Sequence, residues 1–174
     1  MEKIFLHIPE YDELWYREKI MSDSLTMSYN SGYDIDCDGY DKSTGCMAFP
    51  EKQWRVWYNY FIGNEPERFY AYLVRSSDGA FIGEVNLHSS EKARYDMGIV
   101  IEGKYRGKGY AVEGLKLLLE HAFKVLHAEV VCNDFENERV AALKAHLAAG
   151  FEICGEDGGV LHLEISKERY LKTV

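Results

Sequence analysis

The sequence predicts a mixed α/β fold in which a mostly antiparallel sheet of six to seven strands is flanked by about four helices. Seven short runs rich in β-branched and aromatic residues are spread along the chain, and four segments with helical spacing lie between them. Two pairs of strand-like runs are joined by turn residues that are typical of antiparallel hairpins. With 174 residues, 47% of them hydrophobic, we expect one domain over residues 1–174 with an apolar core.

The first third of the chain predicts a strand, a helix, a long loop and a second helix. Residues 3–8 alternate weakly as a strand does, and Pro9 then precedes a helical stretch over 10–21. Residues 28–48 have neither helical nor strand periodicity, and loops of this length are often functional. From Pro50 to Ile62 aromatic residues recur every three or four positions, which predicts a helix packed on the sheet.

The middle of the chain predicts a hairpin followed by a strand–loop–helix unit. The runs 68–75 and 81–88 are separated by Ser76, Ser77, Asp78 and Gly79, which indicates two antiparallel strands. Residues 95–101 form a third strand of this group, and a basic, glycine-containing turn leads from it into a helix over 110–126.

The last part predicts a strand, a helix and a closing hairpin. Residues 129–132 are a short apolar run, and Asn133 with Glu136 resembles a capping box before a helix over 136–149. Gly150 fits a left-handed helix C-terminus. Residues 151–154 and 160–166, joined through glycines, predict the final hairpin.

Composition excludes several classes of function. A net charge of -9 repels nucleic acid and anionic membrane surfaces, and it attracts cationic small molecules or peptides. The absence of a long apolar run predicts a protein that is neither secreted nor membrane-bound, hence cytoplasmic. Since the four cysteines form no C-x-x-C pair, we expect free thiols and no bound metal.

The segment 104–113 contains the most informative motif. Two glycines permit close approach of backbone N–H groups to a ligand, the following helix directs its positive end to the same point, and Lys104, Arg106 and Lys108 add positive charge. This combination predicts a pyrophosphate-binding turn, although an ordinary glycine turn with exposed lysines would look similar. It matches neither the P-loop nor the three-glycine dinucleotide motif.

Around this turn the chain resembles the GNAT acetyltransferase superfamily, in particular its small-substrate or RimJ/RimL-like members. Arg106, Gly109 and Ala111 match the family signature Gln/Arg-x-x-Gly-x-Gly/Ala, residues 97–101 resemble its central strand, and Gly150 with Phe151 resembles its helix end. The resemblance implies that acetyl-CoA is the co-substrate. It further implies that the central strand separates from its neighbour to admit the pantetheine arm. The residues expected to bind acetyl-CoA are Ile99, Ile101, Arg106, Gly107, Lys108, Gly109, Tyr110 and Ala111.

Acetyl transfer needs an amine that has lost its proton, a donor for the oxyanion and a proton for the departing thiolate. The family commonly uses a tyrosine four residues before the Gly-Phe pair, and His146 occupies that position here. A different alignment of the helix start brings Lys144 to the site, and a solvated surface histidine is the alternative for His146. Asp96 and Glu84 are the candidates for the general base, although strand-end carboxylates are more often solvated or paired.

Residues 28–48, called the acidic loop below, are the candidate acceptor site. In GNAT-like folds the segment between the first two helices overlies the acceptor, so the loop's carboxylates and tyrosines could hold a cation by charge and cation–π contacts. The residues predicted to do so are Tyr33, Asp34, Asp36 and Asp38, and an acidic loop that is only solvated is the alternative. Asp34, Asp36, Asp38 and Gly39 also form the first half of a calcium loop, but Gly45 stands where a bidentate Glu is required.

We therefore expect an acetyltransferase that acts on a primary amine of a cationic small molecule or peptide by direct attack in a ternary complex. The family commonly forms homodimers, and the resemblance extends that expectation to this chain. Two alternatives are a non-catalytic acyl-CoA sensor and, with less support, a calcium-binding module that uses the acidic loop.

Overall fold

The computed structural model describes residues 2–173 and contains one mixed sheet of seven strands in the order β1-β2-β3-β4-β5-β7-β6. All neighbouring strands are antiparallel except β4 and β5, which are parallel. The strands are β1 (Ile4–His7), β2 (Arg68–Arg75), β3 (Phe81–Glu91), β4 (Arg94–Ile101), β5 (Val130–Glu136), β6 (Glu152–Asp157) and β7 (Val160–Ser166). The predicted fold class is confirmed.

Six helices accompany the sheet in the described part of the chain. They are α1 (Trp15–Ser22), α2 (Ser24–Met27), α3 (Glu51–Phe61), α4 (Tyr110–Lys124), α5 (Val140–Ala148) and α6 (Lys167–Thr173). The four predicted helices correspond to α1, α3, α4 and α5, while the short helices α2 and α6 were not predicted. Of the helices within residues 2–173, none combines the length and apolar character needed to span a bilayer.

The sheet separates two apolar cores. Alternate side chains of a strand point to opposite faces, so Ala71 and Leu73 of β2 pack in the core under α4, whereas Tyr70 and Tyr72 pack against α1 and α3. The aromatic face of α3 lies in this second core, where Trp54 is buried. Helix α3 is therefore a packing element, as its periodicity predicted.

The predicted capping box before α5 is wrong. Asn133 and Glu136 belong to β5, where they pair with Leu163 and Val160 of β7. The strand-to-strand hydrogen bonds extend β5 four residues beyond the predicted end, and α5 starts only at Val140. The local pattern was overridden by pairing with a strand that lies nearly thirty residues further along the chain.

The parallel pair β4–β5 is short, and this decides where a ligand can bind. Hydrogen-bonded pairing covers only Arg94, Tyr95 and Asp96 of β4, opposite residues 130–132 of β5. Beyond these residues β5 stays with β7 and β4 stays with β3. The two strands separate, and a cleft opens in the middle of the sheet.

Candidate active site

A cavity of about 1170 Å³ occupies the cleft between β4 and β5. Its walls come from Gly98 to Ile101 of β4, Asn133 to Phe135 of β5, α5, the turn before α4, and the segment around α1 and the 28–48 loop. One end of the cavity is therefore the predicted pyrophosphate turn. The other end reaches the face of the sheet that α1 covers.

The turn at the mouth of the cavity has free backbone donors. Gly107 and Gly109 adopt left-handed φ values of +75° and +85°, and α4 begins directly afterwards at Tyr110. Within residues 2–173 the amides of Gly107 to Ala111 donate no hydrogen bond. Five N–H groups and a helix N-terminus together favour an anion at this point.

The Arg106 side chain connects this turn to neighbouring elements by hydrogen bonds. Its guanidinium donates to the carbonyls of Ile101 (3.2 Å), Leu25 (3.1 Å) and Thr26. Burial lowers the pKa of this guanidinium. The side chain therefore joins α2 to the end of β4, and the exposed Lys108 is the cation of the turn that stays open to a ligand. Tyr110 is buried and donates to Glu2 at 2.6 Å.

Ile99 and Ile101 lie along the free edge of β4, and both line the cavity. This edge carries backbone groups that β5 no longer pairs with, because the last β4–β5 pair is Asp96 with Cys132. An extended ligand with amide groups can therefore add to β4 as a strand would.

His146 lies deep in the cavity wall on α5 and is 2% exposed. Its Nδ1 donates to the Ala142 carbonyl at 2.8 Å, so in the neutral ring Nε2 is an acceptor. The amide of Asn133 approaches that Nε2 at 2.9 Å. Burial lowers the pKa of His146, and the ring is therefore neutral at pH 7. Lys144 also lines the cavity but is exposed.

Glu84 lines the cavity from β3 and is 2% exposed. Its two oxygens accept hydrogen bonds from Arg17 of α1 and from the hydroxyl of Tyr70. Arg17 in turn lies over the rings of Phe49 and Trp57, at 5.1 and 4.7 Å from their centroids. Burial and the Glu84 charge raise the pKa of Tyr70, which keeps its hydroxyl protonated. Glu84 is thus a paired carboxylate at the acceptor end.

Asp96, the other predicted base, is not part of the cavity wall formed by the described residues. It lies in the last β4–β5 pair before the strands separate, and its carboxylate is 3.8 Å from the His88 ring. The structure therefore brings His146 and Glu84 to one cavity and leaves Asp96 beside it.

The 28–48 loop contributes its first residues and Met47, and not its carboxylates, to the cavity. Tyr33 lines the wall and donates to Glu138 at 3.1 Å. Asp34, Asp36 and Asp38 are exposed and, within residues 2–173, do not line it. Asp34 pairs with Lys42 at 2.6 Å.

The part of the chain that the structure describes contains no cluster of three or more His, Cys, Asp or Glu side chains suited to a metal ion.

Several cavity residues were not predicted from the sequence. Arg17 and Tyr70 meet Glu84 only through the fold, and Arg139 lies over the rings of Tyr29 and Tyr33 at 5.0 and 5.3 Å. Asn86 was accessible to sequence reasoning, since it lies two positions after Glu84 and must share its face of the strand.

Comparison with known proteins agrees with this geometry. Residues 6–152 match the family model of the acetyltransferase (GNAT) domain. No curated protein sequence matches the chain.

Solved structures share the fold over nearly the whole chain. A GNAT family acetyltransferase from Bacillus anthracis is 18% identical with a TM-score of 0.73, and 96% of each chain is covered. Spermidine N-acetyltransferase from Vibrio cholerae, in complex with CoA and spermine, is 18% identical with a TM-score of 0.77, covering 97% of this chain and 98% of that one. An aminoglycoside acetyltransferase with coenzyme A and kanamycin is 12% identical with a TM-score of 0.72, covering 98% and 99%.

At these identities the structures show a shared fold, whereas the family model covers most of the sequence and includes the turn before α4 and the separating strands. The chain belongs to the GNAT acetyltransferase family.

Proposed function

We propose that this protein transfers an acetyl group from acetyl-CoA to a primary amine of a cationic small molecule or peptide, by direct attack in a ternary complex. The observation that carries the proposal is the single cavity that joins five free backbone amides at the α4 N-terminus to the open edge of β4. It offers one site for a diphosphate and one for an extended amide chain within the same cavity. Two structural neighbours were crystallised with coenzyme A (CoA).

In this proposal the pyrophosphate lies on the amides of Gly107 to Ala111, with Lys108 beside it. The pantetheine arm pairs with β4 near Ile99 and Ile101, and a backbone N–H of that edge stabilises the oxyanion. Holding both substrates in one cavity supplies much of the rate acceleration.

The proton balance assigns a role to His146. The amine nitrogen bonds to the acyl carbon, the carbon–sulfur bond breaks, and one proton must pass from nitrogen to sulfur. A neutral imidazole accepts that proton at Nε2, where the proton replaces the hydrogen bond from the Asn133 amide. Because burial lowers the pKa of His146, the protonated ring readily gives the proton to the thiolate. Glu84, already paired with Arg17, contributes negative charge near the acceptor. Asp96 remains a predicted base without a contact to the cavity.

The acceptor class rests on charge and on the loop. Tyr29 and Tyr33 line the cavity, and the net charge of -9 attracts cations from solution. Two of the structural neighbours were crystallised with amines, spermine and kanamycin. We further propose a cytoplasmic location, since Cys37, Cys46, Cys132 and Cys154 are free thiols. A homodimer is the proposed assembly; one neighbour is described as dodecameric.

The glycine turn is tested by thermal unfolding. Acetyl-CoA should raise the Tm of the parent protein through binding linkage, and Gly109→Val should abolish that shift, because a β-branched residue resists a φ of +85°. The matched control is Gly63→Val, which places the same strain at φ +74° outside the cavity lining formed by residues 2–173 and should keep the shift. A Tm shift that survives in Gly109→Val would overturn the assignment of the turn before α4 as the acetyl-CoA site.

The activity itself is tested by measuring CoA release from acetyl-CoA in the presence of different acceptors. Polyamines, aminoglycosides and lysine-rich peptides are compared with neutral and anionic amino acids. Turnover of at least one cation is expected. Binding of acetyl-CoA without turnover of any amine would identify a sensor rather than an enzyme.

A further inference from the structure

Asn86 of β3 is a polar side chain in the cavity that the proposed chemistry leaves unused. It shares its strand face with Glu84, and both side chains line the cavity. Its amide makes no hydrogen bond to any residue between positions 2 and 173, although it can donate two and accept two. A polar group placed in this way is available to a ligand.

The position of Asn86 is set by a glycine on the neighbouring strand. Asn86 pairs with Gly98 of β4, and the amide lies across the space where a side chain at position 98 would be. A Cβ at Gly98 would come within 2.6 Å of Asn86 Nδ2 and 3.1 Å of Oδ1. Gly98 therefore provides the room that lets this amide reach the point where β4 and β5 separate.

The amide faces the acceptor side of the sheet. Its other neighbour across the sheet is Tyr70, which packs in the core of α1 and α3, whereas Val85 and Leu87 point to the α4 side. Arg17 and Tyr29 line the cavity from the same side.

We propose that Asn86 contacts the acceptor, with its Oδ1 accepting a hydrogen bond from the nitrogen that attacks the thioester. This inference rests on the proposed function. A neutral amide suits the task, because it orients the N–H of an unprotonated amine, whereas a lone carboxylate there would favour the protonated amine, which cannot attack. Asn86 thereby directs the nitrogen lone pair at the acyl carbon.

The test uses a probe that needs no knowledge of the natural acceptor. Coenzyme A is joined through an acetyl bridge on its sulfur to n-butylamine, so that the conjugate carries one N–H at the position of the attacking nitrogen. Calorimetry measures the affinities of the conjugate and of CoA, and their ratio reports contacts at the acceptor end alone. The parent protein should bind the conjugate more tightly than CoA.

Asn86→Ala should reduce this ratio roughly three- to tenfold, the range of one net hydrogen bond, with CoA affinity unchanged. The truncation breaks no described hydrogen bond, and an unaltered Tm checks that the fold persists. The control is Asn59→Ala, an exposed amide on α3 outside the cavity lining, which should leave the ratio unchanged.

Gly98→Ala supplies an independent second variant. Its methyl group displaces the Asn86 amide, so Gly98→Ala should reduce the affinity ratio as Asn86→Ala does. The ratio in the double variant should fall no further than in the more affected single variant. Full retention of the ratio in Asn86→Ala, additive losses, or a parent protein that binds CoA but gains nothing from the conjugate would each overturn the role of Asn86. A parent protein that binds neither compound would overturn the proposed function instead.

Discussion

At the scale of single residues, the protonation state of His146 decides which chemistry it can perform. Its Nδ1 is committed to the Ala142 carbonyl, and its ring packs 5.0 Å from both Phe135 and Phe151. The resting ring is thus neutral, with its lone pair directed at Asn133. A histidine in this state starts the reaction as a proton acceptor and can act as an acid only afterwards.

Replacing His146 by Ala should reduce turnover roughly tenfold to a thousandfold, the effect expected when a proton-transfer group is lost, with acetyl-CoA affinity little changed. Asn133→Ala is the informative comparison, because it removes the 2.9 Å hydrogen bond and keeps the imidazole. A proton-transfer role predicts that Asn133→Ala retains most of the activity. Equal losses in both variants would mean that His146 only positions Asn133.

The same residue predicts a pH effect on stability. The pKa of His146 is lower in the folded protein than the ordinary value of 6.5, so the unfolded state takes up the proton more readily. This contribution to the free energy of unfolding is complete above about 6.5 and is lost as pH falls towards the lowered pKa. His146→Gln should therefore flatten the acid side of the stability curve measured by urea unfolding. An identical curve would show that the ring titrates normally.

At the scale of elements, the loop after α2 is fastened over the cavity by the start of α5. Arg139, which precedes α5, lies against the rings of Tyr29 and Tyr33, and Glu138 accepts from the Tyr33 hydroxyl. These contacts join the acceptor side of the cavity to the helix that carries His146. The loop is therefore held at its first residues, while its acidic tip lies in solvent.

Arg139→Ala should loosen that attachment. Two cation–π contacts at partly exposed sites are worth about 1 to 2 kcal/mol together, so amide hydrogen exchange over residues 28–33 should become about tenfold faster. The matched control is Arg55→Ala, which removes the stacking of Arg55 on Tyr11 at 4.3 Å elsewhere in the molecule. Unchanged exchange over 28–33 in Arg139→Ala would show that the loop is held by other contacts.

Elements with a complete local pattern were predictable from the sequence, and those that depend on distant partners were not. The strands 68–75 and 160–166 were predicted at the residues where they occur, because apolar runs and turn residues bound them on both sides. The end of β5 was missed, since only its pairing with β7 keeps Asn133 to Glu136 extended. The turn before α4 was predicted because the features that it requires, glycines and a helix start, are local in the sequence.

At the scale of the whole molecule, the cavity exists because β5 follows β7 and leaves β4. No local pattern encodes that divergence. The sequence therefore placed Glu84, His146 and Tyr33 near the site but could not tell that Asp96, in the last β4–β5 pair, does not line the cavity. Partners of buried charges, such as Arg17 for Glu84, are likewise set by the fold. The overall charge, by contrast, is fixed by composition and acts at long range.

That charge gives a prediction about acceptor choice. With a net charge of -9 and exposed carboxylates at Asp34, Asp36 and Asp38, encounter with polycations should be favoured, and kcat/KM for the best cationic acceptor should fall as ionic strength rises past physiological values. Changing the three loop residues to Asn should raise the acceptor KM and weaken the salt dependence. Acetyl-CoA binding at the α4 turn should stay nearly intact.

A second triple variant separates the loop from the net charge. Glu152→Gln, Glu156→Gln and Asp157→Asn on β6 remove the same number of charges from exposed positions that do not line the cavity in residues 2–173. If the loop attracts the acceptor locally, only the loop variant should raise the acceptor KM, because exposed charges more than a Debye length of about 8 Å from the acceptor are screened. Equal effects in both variants would assign the preference to net charge alone. A loop variant that behaves as the parent protein does, or an anionic acceptor preferred over every cation tested, would show that these carboxylates take no part in acceptor choice.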